Sequence, residues 1–218
     1  MSKYGILFDL DGTLVDSLAD ICGNVNKVRA GFQLPPLATE VLVKYIGKGV
    51  EQLIHLSFPE LDESDRNGLV AKYREHYAQS PTMGGKIYPG VRETLETLQQ
   101  RGIKIAVATN KATDIAHQTL AHYLPGIQFD LVAGPEKVSK RKPAPEHLTE
   151  VISQLGLETQ NVCFIGDDPV DKASANAAGV QFLGAAYGFG GVPVEGSERL
   201  EQFSDLLSRI SFLNEVSA

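Results

Sequence analysis

The sequence contains no tryptophan, two cysteines and two methionines, and it has no apolar run long enough to cross a membrane. Cys22 lies in a helical pattern and Cys163 in an apolar strand pattern, so neither a disulfide framework nor a thiolate metal cluster is predicted. The first residues carry too short an apolar run and no small-residue cleavage site, so no signal peptide is expected. These absences predict a soluble, cytoplasmic protein without a membrane partner.

Positive charge is also scarce. The chain has 20 lysine and arginine residues against 27 aspartate and glutamate residues, which gives a net charge of −7. Nucleic-acid binding needs a basic face, so no nucleic-acid partner is predicted, and a phosphorylated small molecule would need local positive charge. With 43% apolar and 22% charged residues, the 218 residues fit a globular protein with one large domain or a core with an insert.

Short apolar runs that end in polar or glycine residues recur along the chain and are typical of strands buried on both faces. They are YGILF, IKIAVA, DLVAG, VCFIG and VQFLGAA. Helical patterns lie between them at 91–100, 114–123, 145–155 and 171–178. This alternation predicts an α/β fold with a doubly wound parallel sheet.

The alternation stops between about residues 16 and 86, where no strand is predicted. Four apolar stripes with helical spacing occupy this interval, and they predict a helical bundle over the carboxyl edge of the sheet. Pro81, Gly84 and Gly85, with the loop after Leu14, are the predicted hinges. The predicted domains are a core of residues 1–15 and 87–218 and a helical cap of residues 16–86.

Polar side chains follow the predicted strands at the edge where open α/β sheets bind ligands. Asp9 and Asp11 follow the first strand, and Thr109 and Asn110 follow IKIAVA. Acidic residues follow VCFIG, and a lysine lies in the loop after DLVAG; these are Asp167, Asp168, Asp171 and Lys142.

Asp9 and Asp11 would repel each other, because two carboxylates about 4 Å apart cost about 4 kcal/mol at an effective dielectric of about 20. A hard divalent cation relieves this repulsion. Mg²⁺, which keeps several waters and shares phosphate oxygens, suits a site with few carboxylates. A calcium EF-hand is excluded because positions six and twelve of such a loop hold leucine and aspartate here. Asp16 and Ser17 are interpreted as helix caps.

Four ordered segments, FDLDGTLVDS, VATN, KPAPE and IGDDPVD, resemble the motifs of the haloacid dehalogenase-like (HAD) phosphohydrolase superfamily over almost the whole chain. The helical insert, with YIGKGVEQLI, YPGVRETLETL and AAYGFGG, is similar to the phosphoglycolate phosphatase-like branch. The resemblance implies a Rossmann-like core under a cap. It also implies a Mg²⁺-dependent phosphatase for a small phosphorylated substrate, with phosphoglycolate as the first candidate.

The resemblance implies roles for the acidic residues and the lysine. Asp9 would be the nucleophile that forms an aspartyl-phosphate, and Asp11 would protonate the leaving oxygen and then activate water. Lys142 would offset the charge of the phosphate and of Asp9. The metal ligands would be Asp9, Asp11 through its backbone carbonyl, and Asp167, while Asp171 would support Asp167 or Lys142.

Substrate contacts are implied for a second group of residues. Gly12 would let the backbone approach the phosphate, and Thr13 would supply a hydroxyl. Thr109 would donate its hydroxyl to a phosphate oxygen, and Asn110 either orients the ligand or is an ordinary polar residue at a strand end. Lys48 of the cap either pairs with a substrate carboxylate or is a solvated loop lysine.

The chain departs from the family pattern at Asp168, where serine or threonine is common. Asp168 is expected to lie beside the metal ligand Asp167 and to support the site, and the assignment of the ligand between these two residues stays open. The alternative functions are an inorganic pyrophosphatase, a sugar-phosphate mutase and a non-catalytic phosphate-binding module. Thr13 favours a hydrolase over a mutase, and the intact DLDGT speaks against a dehalogenase. A monomer and a homodimer are both compatible with the sequence.

Overall fold

A computed structural model describes residues 3–66, 68–79 and 84–210 of the chain. The strands in these ranges are β1 (Gly5–Phe8), β2 (Val15–Asp16), β3 (Lys86–Ile87), β4 (Lys104–Ala108), β5 (Leu131–Ala133), β6 (Val162–Gly166), β7 (Gln181–Ala185) and β8 (Arg199–Leu200). The α-helices are α1 (Leu18–Gly31), α2 (Thr39–Leu42), α3 (Val50–Ser57), α4 (Glu63–Arg66), α5 (Leu69–Gln79), α6 (Val91–Gln100), α7 (Thr113–Tyr123), α8 (Glu146–Gln154), α9 (Pro169–Ala178) and α10 (Leu206–Arg209).

Six strands form one parallel sheet in the order β5-β4-β1-β6-β7-β8. Phe8 at the end of β1 is level with Val107 of β4 and Ile165 of β6. The chain winds outward in both directions from β1, so the topological switch point lies at its carboxyl end. The predicted doubly wound α/β fold is confirmed, and the ends of the three central strands meet at one edge.

Alternate side chains of the central strands build two apolar layers. Ile6 and Phe8 of β1 pack with α6, α7 and α10, whereas Leu7 packs with α8 and α9. Side chains on opposite faces of the same strand are therefore both buried, which explains why the predicted strands are apolar without interruption.

Helices α1 to α5 form the insert, and α1, α2, α3 and α5 share an apolar cluster that includes Val25, Leu53 and Tyr77. Ala112 and Ile115, at the start of α7, belong to the same cluster, so the insert packs directly on the core. The predicted helical cap is confirmed. The sequence did not predict α4, because this single turn contributes no buried side chain.

The two connections between core and insert pair with each other. β2 and β3 form a two-stranded antiparallel ribbon in which Val15 faces Ile87 and Asp16 faces Lys86. The expectation that residues 16–86 contain no strand is therefore wrong at both ends of the interval. The domain boundaries at residues 16 and 86 coincide with this ribbon and stay a prediction.

Two of the three predicted hinge residues on the return side, Gly84 and Gly85, are described. Gly84 has a φ of +124°. The backbone N–H of Gly85 donates to Asp20 Oδ1 at 3.0 Å, which ties the return segment to α1. Pro81 lies outside the described residues.

Cys22 and Cys163 are both buried and free, in agreement with the expected absence of a disulfide. Across the described ranges, no helix combines the length and the apolar character that crossing a bilayer requires.

Candidate active site

A cleft between the carboxyl edge of the main sheet and the insert contains most of the predicted site residues. Residues that follow the central strands form its floor, and α1, α3, α5 and the loop before α3 form its roof. The polar side chains that line it are Asp9, Asp11, Thr109, Asn110, Lys111, Lys142, Asp167, Asp168 and Asp171.

Lys142 is buried at the floor beside Asp9. Its Nζ donates to Asp9 Oδ1 at 2.8 Å, to Asp171 Oδ1 at 2.7 Å and to the backbone carbonyl of Ala108 at 2.8 Å. These contacts use all three N–H groups of the ammonium. Burial opposes the charge, but the carboxylates of Asp171 and Asp9 outweigh it and raise the pKa of Lys142. The side chain is therefore a fixed positive charge.

Three buried carboxylates, from Asp9, Asp167 and Asp171, have oxygen atoms within 4.8 Å of one another. Burial raises the pKa of Asp167 well above its usual range, and the charges of Asp171 and Asp9 raise it further. Burial also raises the pKa of Asp171 to about 7, although Lys142 opposes the shift. One ammonium group does not balance three carboxylates, so these residues fit a second cation.

The donor set of this cluster suits a hard divalent cation, because every ligand atom is a carboxylate oxygen. Asp167 is held in place by Thr13, whose hydroxyl donates to Oδ1 at 3.2 Å, and by the backbone N–H of Gly190, which donates to Oδ2 at 2.7 Å. Asp9 and Asp167 of the predicted ligands belong to the cluster, whereas the carboxylate of Asp11 does not. Coordination by the Asp11 carbonyl stays a prediction.

Asp168 and Asp171 begin helix α9 with a capping box. Asp168 Oδ1 accepts from the N–H of Val170 at 2.8 Å, and Asp171 Oδ2 accepts from the N–H of Asp168 at 3.1 Å. Aspartate, serine and threonine all serve as N-caps, which explains how aspartate can stand at this position. The cluster of three carboxylates includes Asp167 and not Asp168, which favours Asp167 as the ligand.

Gly12 and Thr13 lie behind the carboxylate cluster. Gly12 has a φ of +86°, and a Cβ atom there would lie 1.9 Å from Asp167 Oδ2, so only glycine fits. In the described part of the chain, neither residue is among those that line the cleft. Their predicted contacts with phosphate stay predictions.

Asn110 joins three segments at the end of β4. Its Nδ2 donates to the carbonyl of Gly47 at 2.8 Å and to the carbonyl of Lys142 at 2.9 Å, and its Oδ1 accepts from the N–H of Lys142 at 3.0 Å. The amide thus fixes the Lys142 loop and connects it to the cap. Thr109 lines the cleft beside it, and its Oγ1 accepts from the N–H of Lys111 at 3.1 Å.

The cap loop reaches the floor of the cleft through glycines. Gly47 has a φ of +87°, and a Cβ atom there would lie 2.6 Å from Asp168 Oδ2. Gly47 and Gly49 line the cleft, whereas Lys48 between them is exposed and is not a lining residue. Substrate binding by Lys48 stays a prediction.

The sequence did not predict a role for Lys111. Its Nζ donates to both oxygens of Asp11, at 2.8 and 3.1 Å, and to the hydroxyl of Tyr77 at 3.0 Å. Burial opposes the charge, but Asp11 outweighs it and raises the pKa of Lys111. Its position directly after the VATN motif is the one feature of the sequence that could have indicated a place in the site.

Ser17 stands at the N-cap position of α1, as predicted, but its side chain makes no capping hydrogen bond. Its Oγ donates instead to Asp11 Oδ1 at 2.5 Å. The expected capping role for Ser17 is therefore wrong: its hydroxyl donates to the charged carboxylate of Asp11 and accepts no N–H of the helix.

The geometry agrees with the comparison with known proteins. The family model of haloacid dehalogenase-like hydrolases matches residues 6–185. The chain belongs to this family. A phosphoglycolate phosphatase from Rhodospirillum rubrum is 33% identical over 211 residues, which cover 93% of this chain and 88% of that protein.

Solved structures of HAD hydrolases share the fold. A predicted phosphoglycolate phosphatase from Haemophilus somnus superposes with a TM-score of 0.86 and 26% identity, over 95% of this chain and 98% of that one. A subfamily IA HAD hydrolase from Geobacter sulfurreducens gives a TM-score of 0.71 at 26% identity, over 96% of both chains. Together with the family match, these relatives place this HAD hydrolase among the phosphoric monoester hydrolases.

Proposed function

We propose that this HAD hydrolase is a Mg²⁺-dependent phosphatase of a small phosphorylated metabolite, with phosphoglycolate as the first candidate, and that it acts through an aspartyl-phosphate on Asp9. The position of Asp9 carries the proposal. It lies at the switch point of the sheet, pairs with the buried ammonium of Lys142 and has two further carboxylates within 4.8 Å. The curated relatives named phosphoglycolate phosphatase support the choice of substrate.

Asp9 has the charge and the fixed orientation that a nucleophile needs. Lys142 holds its Oδ1. Within the described residues, no hydrogen bond to Oδ2 is formed, so this oxygen is available to attack phosphorus in line. Lys142 offsets the charge of the incoming phosphate as well as that of Asp9, and Asp171 keeps Lys142 in place.

Asp9 and Asp167 would hold Mg²⁺, which when bound neutralises negative charge on the transferring phosphoryl group. Thr109 donates its hydroxyl to a phosphate oxygen. Asp11 gives a proton to the leaving oxygen and then takes one from the water that hydrolyses the aspartyl-phosphate. The cap excludes bulk water while the phosphate is transferred.

The test is phosphate release by the purified protein with Mg²⁺ from an aryl phosphate, phosphoglycolate, pyrophosphate and a sugar phosphate. We expect turnover of the aryl phosphate and of phosphoglycolate, loss of activity with EDTA and recovery when Mg²⁺ is restored. Asp9→Asn should lower kcat at least about 10³-fold, because it removes the nucleophile. The matched control is Asp65→Asn, which changes an exposed carboxyl of α4.

Activity that persists in Asp9→Asn would overturn the nucleophile assignment. Turnover of pyrophosphate alone, or a requirement for a sugar bisphosphate, would replace the phosphatase with one of the other predicted enzymes. Calorimetric binding of these phosphates without any turnover would indicate a binding module.

A further inference from the structure

Lys111 is a second buried cation of the cleft, at the side where the leaving group of the substrate would lie. Its side chain is 7% exposed and lines the cleft between Asp11 and helix α5. Its ammonium donates three hydrogen bonds, to the two carboxylate oxygens of Asp11 and to the hydroxyl of Tyr77. Its Nζ also lies 4.6 Å from the centre of the Tyr77 ring.

This ion pair conflicts with the role proposed for Asp11 as the acid that protonates the leaving oxygen. To serve the leaving oxygen, the Asp11 carboxylate must turn toward the substrate, but Lys111 holds both of its oxygens and Ser17 holds Oδ1 as well. When Asp11 turns away, Lys111 loses the only carboxylate that pairs with it among the described residues. A buried ammonium without an anion is strongly unfavourable, so turnover is easiest when another anion takes that place.

We propose that Lys111 determines specificity by binding a negatively charged group on the leaving alcohol of the substrate, which replaces Asp11 on the ammonium. The inference rests on the proposed phosphatase function and names the substrate class of the same site. Lys111 Nζ lies 2.8 Å from the carboxylate that serves the ester oxygen. The anionic group must therefore lie close to that oxygen, as in the phosphate ester of a short hydroxy acid.

The roof of the cleft supports a small leaving group. The side chains that it contributes include Ile21, Val50, Leu53 and Tyr73, which carry no charge. Sugar hydroxyls buried against the three aliphatic side chains would lack hydrogen-bond partners, which makes their burial unfavourable. Lys48, the cap lysine considered for a substrate carboxylate, is exposed and does not line the cleft.

The test compares two esters that differ in one group: phosphoglycolate and hydroxyethyl phosphate, in which an alcohol replaces the carboxylate. We expect the unaltered protein to prefer phosphoglycolate in kcat/KM by at least about 100-fold, because a site built around a substrate group rejects the analogue that lacks it. Lys111→Met should remove most of this preference by raising KM for phosphoglycolate, with a much smaller effect on hydroxyethyl phosphate. Inhibition by glycolate, the released alcohol, should be lost in parallel.

Four further variants test the comparison. Lys111→Arg keeps the charge and should keep the preference in part, and Lys111→Gln replaces Lys111→Met if the latter does not fold. Lys72→Met, which changes an exposed lysine of α5, should behave as the unaltered protein. Lys48→Met tests the competing carboxylate site and should retain the preference.

Equal losses on both esters in folded Lys111→Met would mean that Lys111 acts only through Asp11, and would overturn the inference. Loss of the preference in Lys48→Met but not in Lys111→Met would also overturn it. An unaltered protein that hydrolyses both esters equally well would refute the inference and leave the phosphatase intact. If the protein hydrolyses none of the three compounds, neither of the two esters nor the aryl phosphate, the proposed function itself is refuted.

Discussion

Lys142 pairs with two buried carboxylates at once, those of Asp9 and Asp171. Removal of one partner from a buried ion pair typically costs about 3–5 kcal/mol, because it leaves an uncompensated charge away from water. Lys142 therefore contributes to the stability of the fold as well as to the charge balance of the site.

Lys142→Met should lower the free energy of unfolding by about 3 kcal/mol or more at neutral pH, measured by urea denaturation. Adding Asp171→Asn should recover part of the loss, since it removes one of the two unpaired carboxylates. Lys140→Met is the matched control, because Lys140 pairs with Glu146 at the exposed surface and should leave the unfolding free energy almost unchanged. Similar losses in the two lysine variants would contradict this account of Lys142.

At the same scale, the sequence predicted which residue types gather at the site but not all of their partners. Asp9 and Asp167 could be predicted because each directly follows a strand, and strand ends meet at one edge. Lys142 could be predicted because the lysine before Pro143 matches the family motif. The pair Lys111–Asp11 and the contact Ser17–Asp11 depend on the direction that each side chain takes, which no spacing in the sequence encodes.

Among the elements, α8 carries a buried histidine against the sheet. Nε2 of His147 lies 3.2 Å from the carbonyl of Ala133 in β5. Burial, with the positive charge of Lys142, lowers the pKa of His147 to about 3. In the unfolded chain the same side chain takes up a proton below about pH 6.5. As pH falls through that range the unfolded state binds more protons than the folded state, so stability falls.

We expect the unfolding free energy to fall by up to about 1.4 kcal/mol per pH unit through His147 between about pH 6 and pH 4. His147→Gln should show a smaller pH slope across this range, although its stability at neutral pH is lower. Urea denaturation at several pH values measures both slopes. His117→Gln, at an exposed position of α7, should keep the slope of the unaltered protein. An unchanged slope in His147→Gln would assign the pH dependence to other groups.

Longer helices and strands could be predicted from the sequence better than short ones. Helix α6 has the predicted bounds, because its apolar stripe repeats over three turns between Gly90 and Gly102. The two-residue strands β2, β3 and β8 have no period of their own and exist only because a partner strand lies beside them. Such elements require the tertiary fold and cannot be predicted from local pattern.

The whole molecule is negatively charged, and its buried carboxylate cluster adds to that imbalance. The pKa of Asp167 in the folded state is raised, chiefly by burial and then by Asp171 and Asp9. Above the folded-state pKa, ionised Asp167 therefore destabilises the folded protein, whereas the unfolded chain carries the same charge in water without that penalty. A bound cation would reverse the effect.

Mg²⁺ should raise the melting temperature, because a ligand of the folded state at about 100 times its dissociation constant adds about 2.7 kcal/mol of stability. Asp167→Asn should abolish this rise and should itself raise the melting temperature of the metal-free protein at about pH 8, since it removes the buried charge. Thermal denaturation with and without Mg²⁺, against sodium chloride of equal ionic strength, measures both effects. A full Mg²⁺ effect in Asp167→Asn would remove this residue from the metal ligands.

At this scale, the doubly wound core and the helical cap could be predicted, since strand and helix patterns alternate everywhere except in the insert. The position of the cap on the core could not be predicted. It depends on Gly47 against Asp168 and on Asn110 bonded to the Gly47 carbonyl, which are contacts between segments far apart in the chain.

The ribbon of β2 and β3 couples the two connections between the cap and the core. Because the outgoing and returning chains are hydrogen-bonded side by side, neither can bend while the other stays straight. A rotation of the cap at this point would therefore bend both strands together, about one axis that crosses the pair. Closure by such a rotation would return the roof to the floor along one arc and in one register.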